Sequence, residues 1–398
     1  MSRARRARAF ATTHPGLEAI LAGELERMGL APASIERSGV EFEAGPGDLW
    51  RANLLLRTAG RVLVRVAAFH AAAFHELERH AKRVPWERFL PADGAVHCRV
   101  TTKKSALYHE RAIVERLEAA IRTTMPNVSL RSGRGEVELE ERDVAAPVPV
   151  QRFVVRLYRD ECVVSADSSG PLLHRRGYRL RSGKAPLRET LAAGLLLAAG
   201  WDGAVPLIDP MCGSGTIPIE AALLARRMPP GWGRRFAFEA WPEFEPEAYA
   251  RLRDHLATRL LARAPAPIMG ADRDAGAITL ARANAERAGV AGDVEWRQQT
   301  ISALDRPTNL SSSTSTGSSG WIVTNPPYGT RLGEKRALRN LYAQFGNVLR
   351  RSLARWRVAM VSADRMLESQ VGLAWNEAAR SESGGLEVRL VTAEVRST

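Results

Sequence analysis

From residue 207 onward, short apolar runs alternate with stretches of helical periodicity, and that order admits few folds. Leu207-Ile208-Asp209 runs into a glycine-rich turn and a helix over 217–227, and Ile268-Met269-Gly270-Ala271-Asp272 is followed by a helix over 275–288. A third strand spans 294–297 and Trp321-Ile322-Val323-Thr324 is a fourth; a helix over 338–353 then leads to a fifth strand at 358–362 and a late one at 386–391. Strand–helix alternation of this kind specifies an α/β fold with a parallel, doubly wound sheet, whose ligands bind beyond the carboxyl ends of the strands. Chemistry is therefore expected after the first, second and fourth strands.

The first 170 residues have another rhythm. Residues 16–28 set Leu17, Ile20, Leu21, Leu25 and Met28 at helical spacing, and Val40-Glu41-Phe42-Glu43-Ala44 alternates like a strand before the turn Gly45-Pro46-Gly47. Strands are expected at 61–69 and 96–100, a helix at 105–121, and two strands at 153–158 and 162–166 about an Arg159-Asp160-Glu161 turn. Strands and helices do not alternate strictly here, so α+β modules precede the α/β domain.

A chain of 398 residues has room for two or three domains. Its longest apolar candidate, 190–200, falls far short of the roughly 18 residues of a membrane span. Arg3, Arg5, Arg6 and Arg8 lead directly into apparent fold without an apolar secretory core, so a cytoplasmic location is expected. Cys98, Cys162 and Cys212 are widely separated and join no Cys/His cluster, so neither a disulfide framework nor a metal is expected. The net charge is +13, and only five of the 57 basic residues are lysines. Such a balance favours polyanionic partners.

Asp209-Pro210-Met211-Cys212-Gly213-Ser214-Gly215-Thr216 joins a strand to a helix. Gly213 and Gly215 let the backbone approach a ligand, Thr216 can cap the helix, and Pro218 suits its first turn, so the amide end of the helix faces the site. A dinucleotide fingerprint wants a third glycine where Pro218 stands, and no Gly-Lys-Ser/Thr exists to make a phosphate-gripping loop. An acidic strand tip with Gly-x-Gly suits a ligand with a cationic amino-acid end and an adenosine. Asp272, at the second strand tip, can accept both ribose hydroxyls, whereas Asp274 reads as the cap of the next helix.

Asn325-Pro326-Pro327-Tyr328 is the most specific feature. The prolines fix the local backbone and donate no hydrogen bonds, so carbonyl oxygens face outward with the side-chain oxygen of Asn325. Two converging acceptors suit the two N–H donors of a planar exocyclic amine, and Tyr328 can stack on a base held outside its helix.

Two further segments have competing readings. Arg175, Arg176, Tyr178, Arg179, Arg181 and Lys184 form a basic run with one aromatic, suited either to a phosphate backbone or to a solvated interdomain linker. Trp232, Phe236, Phe238, Trp241 and Phe244 fit an inserted loop packed onto the domain better than a base-stacking platform. The Ser/Thr/Gly-rich stretch 311–320 is expected to be a flexible loop between the third and fourth strands.

Taken in order, these motifs resemble RNA methyltransferases that join an N-terminal THUMP module to a class I S-adenosylmethionine-dependent domain, above all the group including 23S rRNA and tRNA guanine-N2 enzymes. Gly16-Leu17-Glu18, Arg176-Gly177-Tyr178-Arg179, Ala185-Pro186-Leu187-Arg188-Glu189-Thr190-Leu191-Ala192, Phe236-Ala237-Phe238-Glu239 and Gly329-Thr330-Arg331-Leu332-Gly333 extend the likeness almost end to end. The resemblance implies a ferredoxin-like region over 1–60, a THUMP domain over 61–170, a basic linker over 171–190 and a Rossmann-like catalytic domain over 191–398. It implies that Asp209, Pro210, Cys212, Gly213, Gly215 and Thr216 contact S-adenosylmethionine, Asp272 its ribose, and Asn325 with Pro326, Pro327 and Tyr328 the target base.

Where that family commonly carries a carboxylate after the third strand, this chain has Arg297-Gln298-Gln299-Thr300, so Gln299 or Thr300 takes its place and Thr300 is expected at the donor. The expected activity is methylation of a guanine exocyclic amine in structured rRNA or tRNA, by a monomer. The alternatives are methylation of a DNA amine, or a non-catalytic RNA-binding assembly factor. Cys212 sits in the donor turn rather than beside a base, which disfavours methylation of pyrimidine carbon through a covalent adduct.

Overall fold

The computed structural model describes residues 6–131, 150–179, 187–305, 319–328, 335–383 and 385–396. Arg181, Lys184, the 329–333 segment and most of the 311–320 stretch, all singled out above, lie outside the described residues. Two units divide the chain: one of residues 1–13, 22–173 and 234–255, the other of 14–21, 174–233 and 256–398.

The first unit is built on one eight-stranded sheet. Its strands are β1 (Ala7–Thr13), β2 (Pro32–Glu36), β3 (Gly39–Ala44), β4 (Ala59–His70), β5 (Ala95–Lys103), β6 (Ser129–Leu130), β7 (Val150–Tyr158) and β8 (Glu161–Asp167), in the order β2-β3-β1-β4-β8-β7-β5-β6. Alternation decides which face is inside: Val40, Phe42 and Ala44 of β3 are buried while Glu41 and Glu43 turn outward. β7 and β8 form the expected hairpin, turned by Arg159 and Asp160, both at positive φ (52° and 65°). That is the handedness a two-residue turn needs to follow the strand twist. The helices of this part include α2 (Pro46–Leu55), α3 (Phe74–Ala81), α4 (Glu110–Thr124) and most of a helix over Pro246–Ala257, while α1 (Glu18–Arg27) is divided between the two units at residue 22. The boundary expected at residues 60 and 61 falls at the start of β4, which pairs with β1 on one side and β8 on the other. The two expected modules therefore share one sheet.

Residues 234–255, expected within the catalytic domain, belong to the first unit. Their aromatic side chains pack there: Phe238 is buried, the rings of Phe244 and Trp50 meet edge-on at 5.9 Å, and those of Trp241 and Phe89 at 4.9 Å. Arg88 adds a two-pronged hydrogen bond to Glu243, both arms 3.0 Å.

The second unit carries α5 (Glu189–Ala199), β9 (Leu207–Asp209), α6 (Thr216–Ala225), β10 (Ile268–Asp272), α7 (Ala275–Arg287), β11 (Val294–Gln298), β12 (Trp321–Thr324), α8 (Lys335–Ser352), β13 (Arg357–Ser362), α9 (Arg365–Gln370), β14 (Asn376–Ser383) and β15 (Leu386–Glu394). The sheet order is β11-β10-β9-β12-β13-β15-β14, with β9 to β13 parallel and β15 antiparallel to both neighbours. Both faces of the strands are covered. Val323 and Val361 enter one core with Leu195 and Ile217, while Ile322 and Met360 enter a second with Phe345 and Trp356. Burial on both faces is why these strands read as unbroken apolar runs.

Candidate functional site: a cavity at the strand tips

The chain leaves β9 in one direction to form β10 and β11, then returns to place β12 on the other side of β9. A crevice opens where that order reverses, and ligands of open α/β sheets bind in such crevices. Here it is a cavity of about 370 Å³ lined by Asp209, Cys212, Gly213, Thr216, Asp274 and Asn325 among others. Ligand pockets typically measure roughly 300–1,000 Å³.

The glycine turn forms the floor. Gly213 and Gly215 both have left-handed φ, 51° and 84°. They differ in purpose. A Cβ on Gly215 would lie 2.7 Å from the Trp296 ring and 2.9 Å from Ala281, so this glycine serves packing. A Cβ on Gly213 would meet nothing within 4 Å, so that glycine keeps open space over the backbone. The turn is pinned to the tip of β10: Cys212 N–H donates to the Ala271 carbonyl and Gly213 N–H to Asp272 Oδ2, both at 2.9 Å. Gly215, not Thr216, stands at the cap position of α6; Thr216 is the first helical residue, and its hydroxyl accepts from Arg179 at 3.1 Å. The capping role expected of Thr216 is thus corrected, because a left-handed Gly215 already turns the chain into the helix.

The acidic groups divide the work. Asp209 is 1% exposed, and one oxygen, Oδ1, accepts from Thr324 Oγ1 at 2.7 Å and Met211 N–H at 3.1 Å. Burial pushes its carboxyl up to about 7. Asp272 braces Gly213 and the Asp274 N–H, and Asp274 caps α7 by accepting from Gly276 and Ala277, as expected of it. Among the described residues, the cavity lining includes Asp274 and neither Asp272 nor Pro210.

Thr300 stands apart from the cavity lining. It is exposed, starts a short 3-10 turn, pairs with Ser302 Oγ at 2.9 Å and does not line the cavity. Gln299 instead has its N–H bonded to the Asp272 carbonyl at 2.9 Å, and its buried Nε2 has no partner among the described residues.

On the opposite wall, Asn325 lines the cavity and its Oδ1 is buried with no hydrogen-bond partner among the described residues. A buried acceptor left open costs free energy unless a ligand supplies the donor. Pro326 is buried, Pro327 is exposed with its carbonyl accepting from Tyr342 Oη at 3.3 Å, and Tyr328 is half-buried. Cys212 is buried, and burial with the nearby Asp209 and Asp272 pushes its thiol far above the ordinary range, which disfavours the thiolate.

The basic segment also departs from expectation. Arg176 and Tyr178 are buried, with the Arg176 guanidinium 3.6 Å from Glu220 and the Tyr178 hydroxyl donating to the same carboxylate at 3.1 Å. Arg179 binds Glu189 at 3.0 Å, the Leu187 carbonyl at 2.9 Å and Thr216. These side chains neutralise two buried carboxylates within the catalytic unit instead of facing a phosphate backbone, and of the described set Arg175 and Arg179 are partly exposed. His174 in the same segment is held down to about 3 by burial and by its arginine neighbours.

Sequence reasoning missed Thr324, which bonds to Asp209, and gave Arg179 to a phosphate backbone or linker instead of to Thr216. The signal for Thr324 was available, since it is the one polar residue of its strand. Among the described residues no cluster of His, Cys, Asp or Glu is placed to hold a metal, and no helix is long and apolar enough to cross a membrane.

An acidic floor, open space over Gly213 and an open acceptor on Asn325 fit a donor with a cationic amino-acid end beside an amine. Comparison with known proteins agrees. The family model for an RMKL-like methyltransferase domain matches residues 176–391, and that for an RlmL ferredoxin-like domain matches residues 8–63. A putative RNA methyltransferase of Synechocystis, slr0064, is 32% identical over 97% of this chain and 96% of its own length. The ribosomal RNA large subunit methyltransferase K/L of Methylococcus capsulatus is 36% identical over 96% of this chain, which spans 50% of that longer protein. Among solved structures, a putative methyltransferase complexed with SAH (SMU.472) is 28% identical with a TM-score of 0.84, covering 99% of both chains. A predicted N6-adenine-specific DNA methylase from Listeria monocytogenes is 32% identical with a TM-score of 0.82, covering 97% of this chain and 96% of its own. The chain belongs to the RMKL-like methyltransferase family: an N-terminal ferredoxin-like module followed by a class I methyltransferase domain whose cofactor is S-adenosylmethionine.

Proposed function

We propose that this methyltransferase acts on RNA and places its methyl on the exocyclic N2 of a guanine in rRNA or tRNA, working as a cytoplasmic monomer. One observation carries the reading: Asn325, whose buried Oδ1 has no hydrogen-bond partner among the described residues, lines the same cavity as Asp209 and Gly213. The carbonyl oxygens of Asn325 and Pro326 accept the two amine protons, which frees the nitrogen lone pair for attack. S-adenosylmethionine supplies an already activated methyl, so the chain's task is proximity and orientation. Tyr328 stacks on the extruded base, and after transfer the methylated nitrogen gives up one proton to water. The RNA methyltransferase names of the relatives support an RNA substrate, and the large-subunit name supports rRNA ahead of tRNA.

The test is transfer of tritiated methyl to RNA and to DNA from the same cell, followed by nucleoside mass spectrometry. N2-methylguanosine in RNA is the expected product, and Asn325→Ala is expected to abolish it while RNA binding persists. Label in DNA, in adenosine or in cytidine overturns the reading, and the DNA outcome is the one that the name of the Listeria protein favours. Binding of RNA with no transfer at all points to the non-catalytic alternative.

A further inference from the structure

The acceptor half of the site has a weak mechanical hold. Asn325 leaves β12 straight into Pro326 and Pro327, and neither proline has an N–H with which to tether the loop. On the β9 side, the backbone pairing of β12 ends at Ile322 opposite Ile208. On the other side β12 stays paired with β13 through Thr324 opposite Met360. So at the switch point, where the two halves of the site meet, no backbone pairing among the described residues joins Thr324 to β9.

A side chain bridges that gap. Thr324 is fully buried, and its hydroxyl donates to Asp209 Oδ1 at 2.7 Å. Asp209 is itself fixed by the Met211 N–H, so the donor turn after β9 and the residue preceding Asn325 share one oxygen. Downstream, the next recorded hold is the longer bond from Tyr342 to the Pro327 carbonyl at 3.3 Å. Valine in place of Thr324 keeps the shape and removes the bond.

We propose that Thr324 is a positioning residue for methyl transfer: its bond to Asp209 takes over where the β9–β12 pairing stops and fixes Asn325 at the acceptor amine. The inference rests on the amine site assigned to Asn325 above. A bond between two strand tips acts on reaction geometry more than on donor affinity, and displacement of reacting groups by about 1 Å can cost about a hundredfold in rate.

The full chain is compared as wild type, Thr324→Val and Thr324→Ser. In Thr324→Val, kcat on RNA is expected to fall at least about tenfold while the KM for S-adenosylmethionine moves by less than about threefold; serine, which keeps the hydroxyl, restores kcat. Independently of RNA, amide hydrogen exchange at Asn325 and Tyr328 is expected to quicken in the valine variant and return to normal in the serine variant. Unchanged exchange in a folded Thr324→Val overturns the proposal, as does a parallel loss of melting temperature, donor affinity and kcat that serine does not rescue. Failure of the RNA reading shows elsewhere, as absence of label in the wild-type reaction, and the exchange measurement still decides the role of Thr324.

Discussion

The carboxylate of Asp272 accepts a hydrogen bond from the Gly213 N–H at 2.9 Å, so the tip of β10 holds the turn that follows β9. Its second oxygen takes the Asp274 N–H at 3.0 Å. Asp272→Ala removes the acceptor from both amides. Stability is expected to drop by about 1–3 kcal/mol, the usual consequence of stranding polar groups. Affinity for SAH is expected to drop with it, since the turn then keeps only the backbone bond from Cys212 to the Ala271 carbonyl. Urea denaturation and calorimetric titration measure the two effects, and wild-type affinity in this variant contradicts the bracing role.

The two glycines of the turn are expected to respond differently to the same methyl group. Gly215→Ala places a Cβ 2.7 Å from the Trp296 ring at a φ of 84°, combining overpacking with left-handed strain. Each is worth about 1–3 kcal/mol, so this variant melts well below wild type. Gly213→Ala suffers only the strain, because its Cβ meets nothing within 4 Å. It is expected to fold and to lose SAH binding, as its methyl occupies the open space over the turn. Thermal melts paired with SAH titrations separate the cases, and a Gly213→Ala protein that binds SAH normally removes Gly213 from the donor site.

Sequence periodicity revealed those parts of the fold in which one face differs from the other. Val40-Glu41-Phe42-Glu43-Ala44 alternates because one face of β3 is buried, and the structure keeps that register. α5 was passed over as a mere apolar run, for a physical reason: every residue from Glu189 to Leu196 is buried, so no polar stripe marks its period. β14 was missed for the opposite reason. Its residues are largely polar, and it is held by pairing with β15 and by ion pairs from Glu377 to Arg380 and Arg389. At the site, strand tips and glycines could be read from local sequence. The direction of Arg176 and Tyr178 could not, because it depends on Glu220, far along the chain in the otherwise apolar helix α6.

That burial has a direct consequence for mutagenesis of the basic segment. Arg176→Ala leaves the Glu220 carboxylate buried without its cation, and breaking such a pair from one side usually costs about 3–5 kcal/mol. Tyr178→Phe removes one hydrogen bond to the same carboxylate and is expected to cost about 1–2 kcal/mol. Both losses should appear in denaturant titrations, with RNA affinity of the folded fraction unchanged. If either variant instead kept full stability and bound RNA more weakly, the phosphate-contact reading would return.

Asp209 offers the sharpest pH test. Burial raises its carboxyl from an ordinary 3.8 to about 7, so the neutral form is favoured in the folded protein while the unfolded chain ionises at the lower value. Stability from this group is therefore complete below pH 3.8, declines as pH rises from there, and is fully lost above about 7. Asp209→Asn retains a carbonyl oxygen for Thr324 and Met211 and has no charge to bury. The ligand-free variant is expected to melt above wild type, by a margin that widens between pH 4 and pH 7 and then stays level. The same change deprives the donor's cationic end of its counter-charge, so SAH affinity at pH 8 is expected to fall even as the protein becomes harder to unfold. Melts across that pH range and a titration at its upper end read both signs. A pH-independent margin would show that the Asp209 carboxyl titrates normally, and unchanged SAH affinity would separate it from the donor.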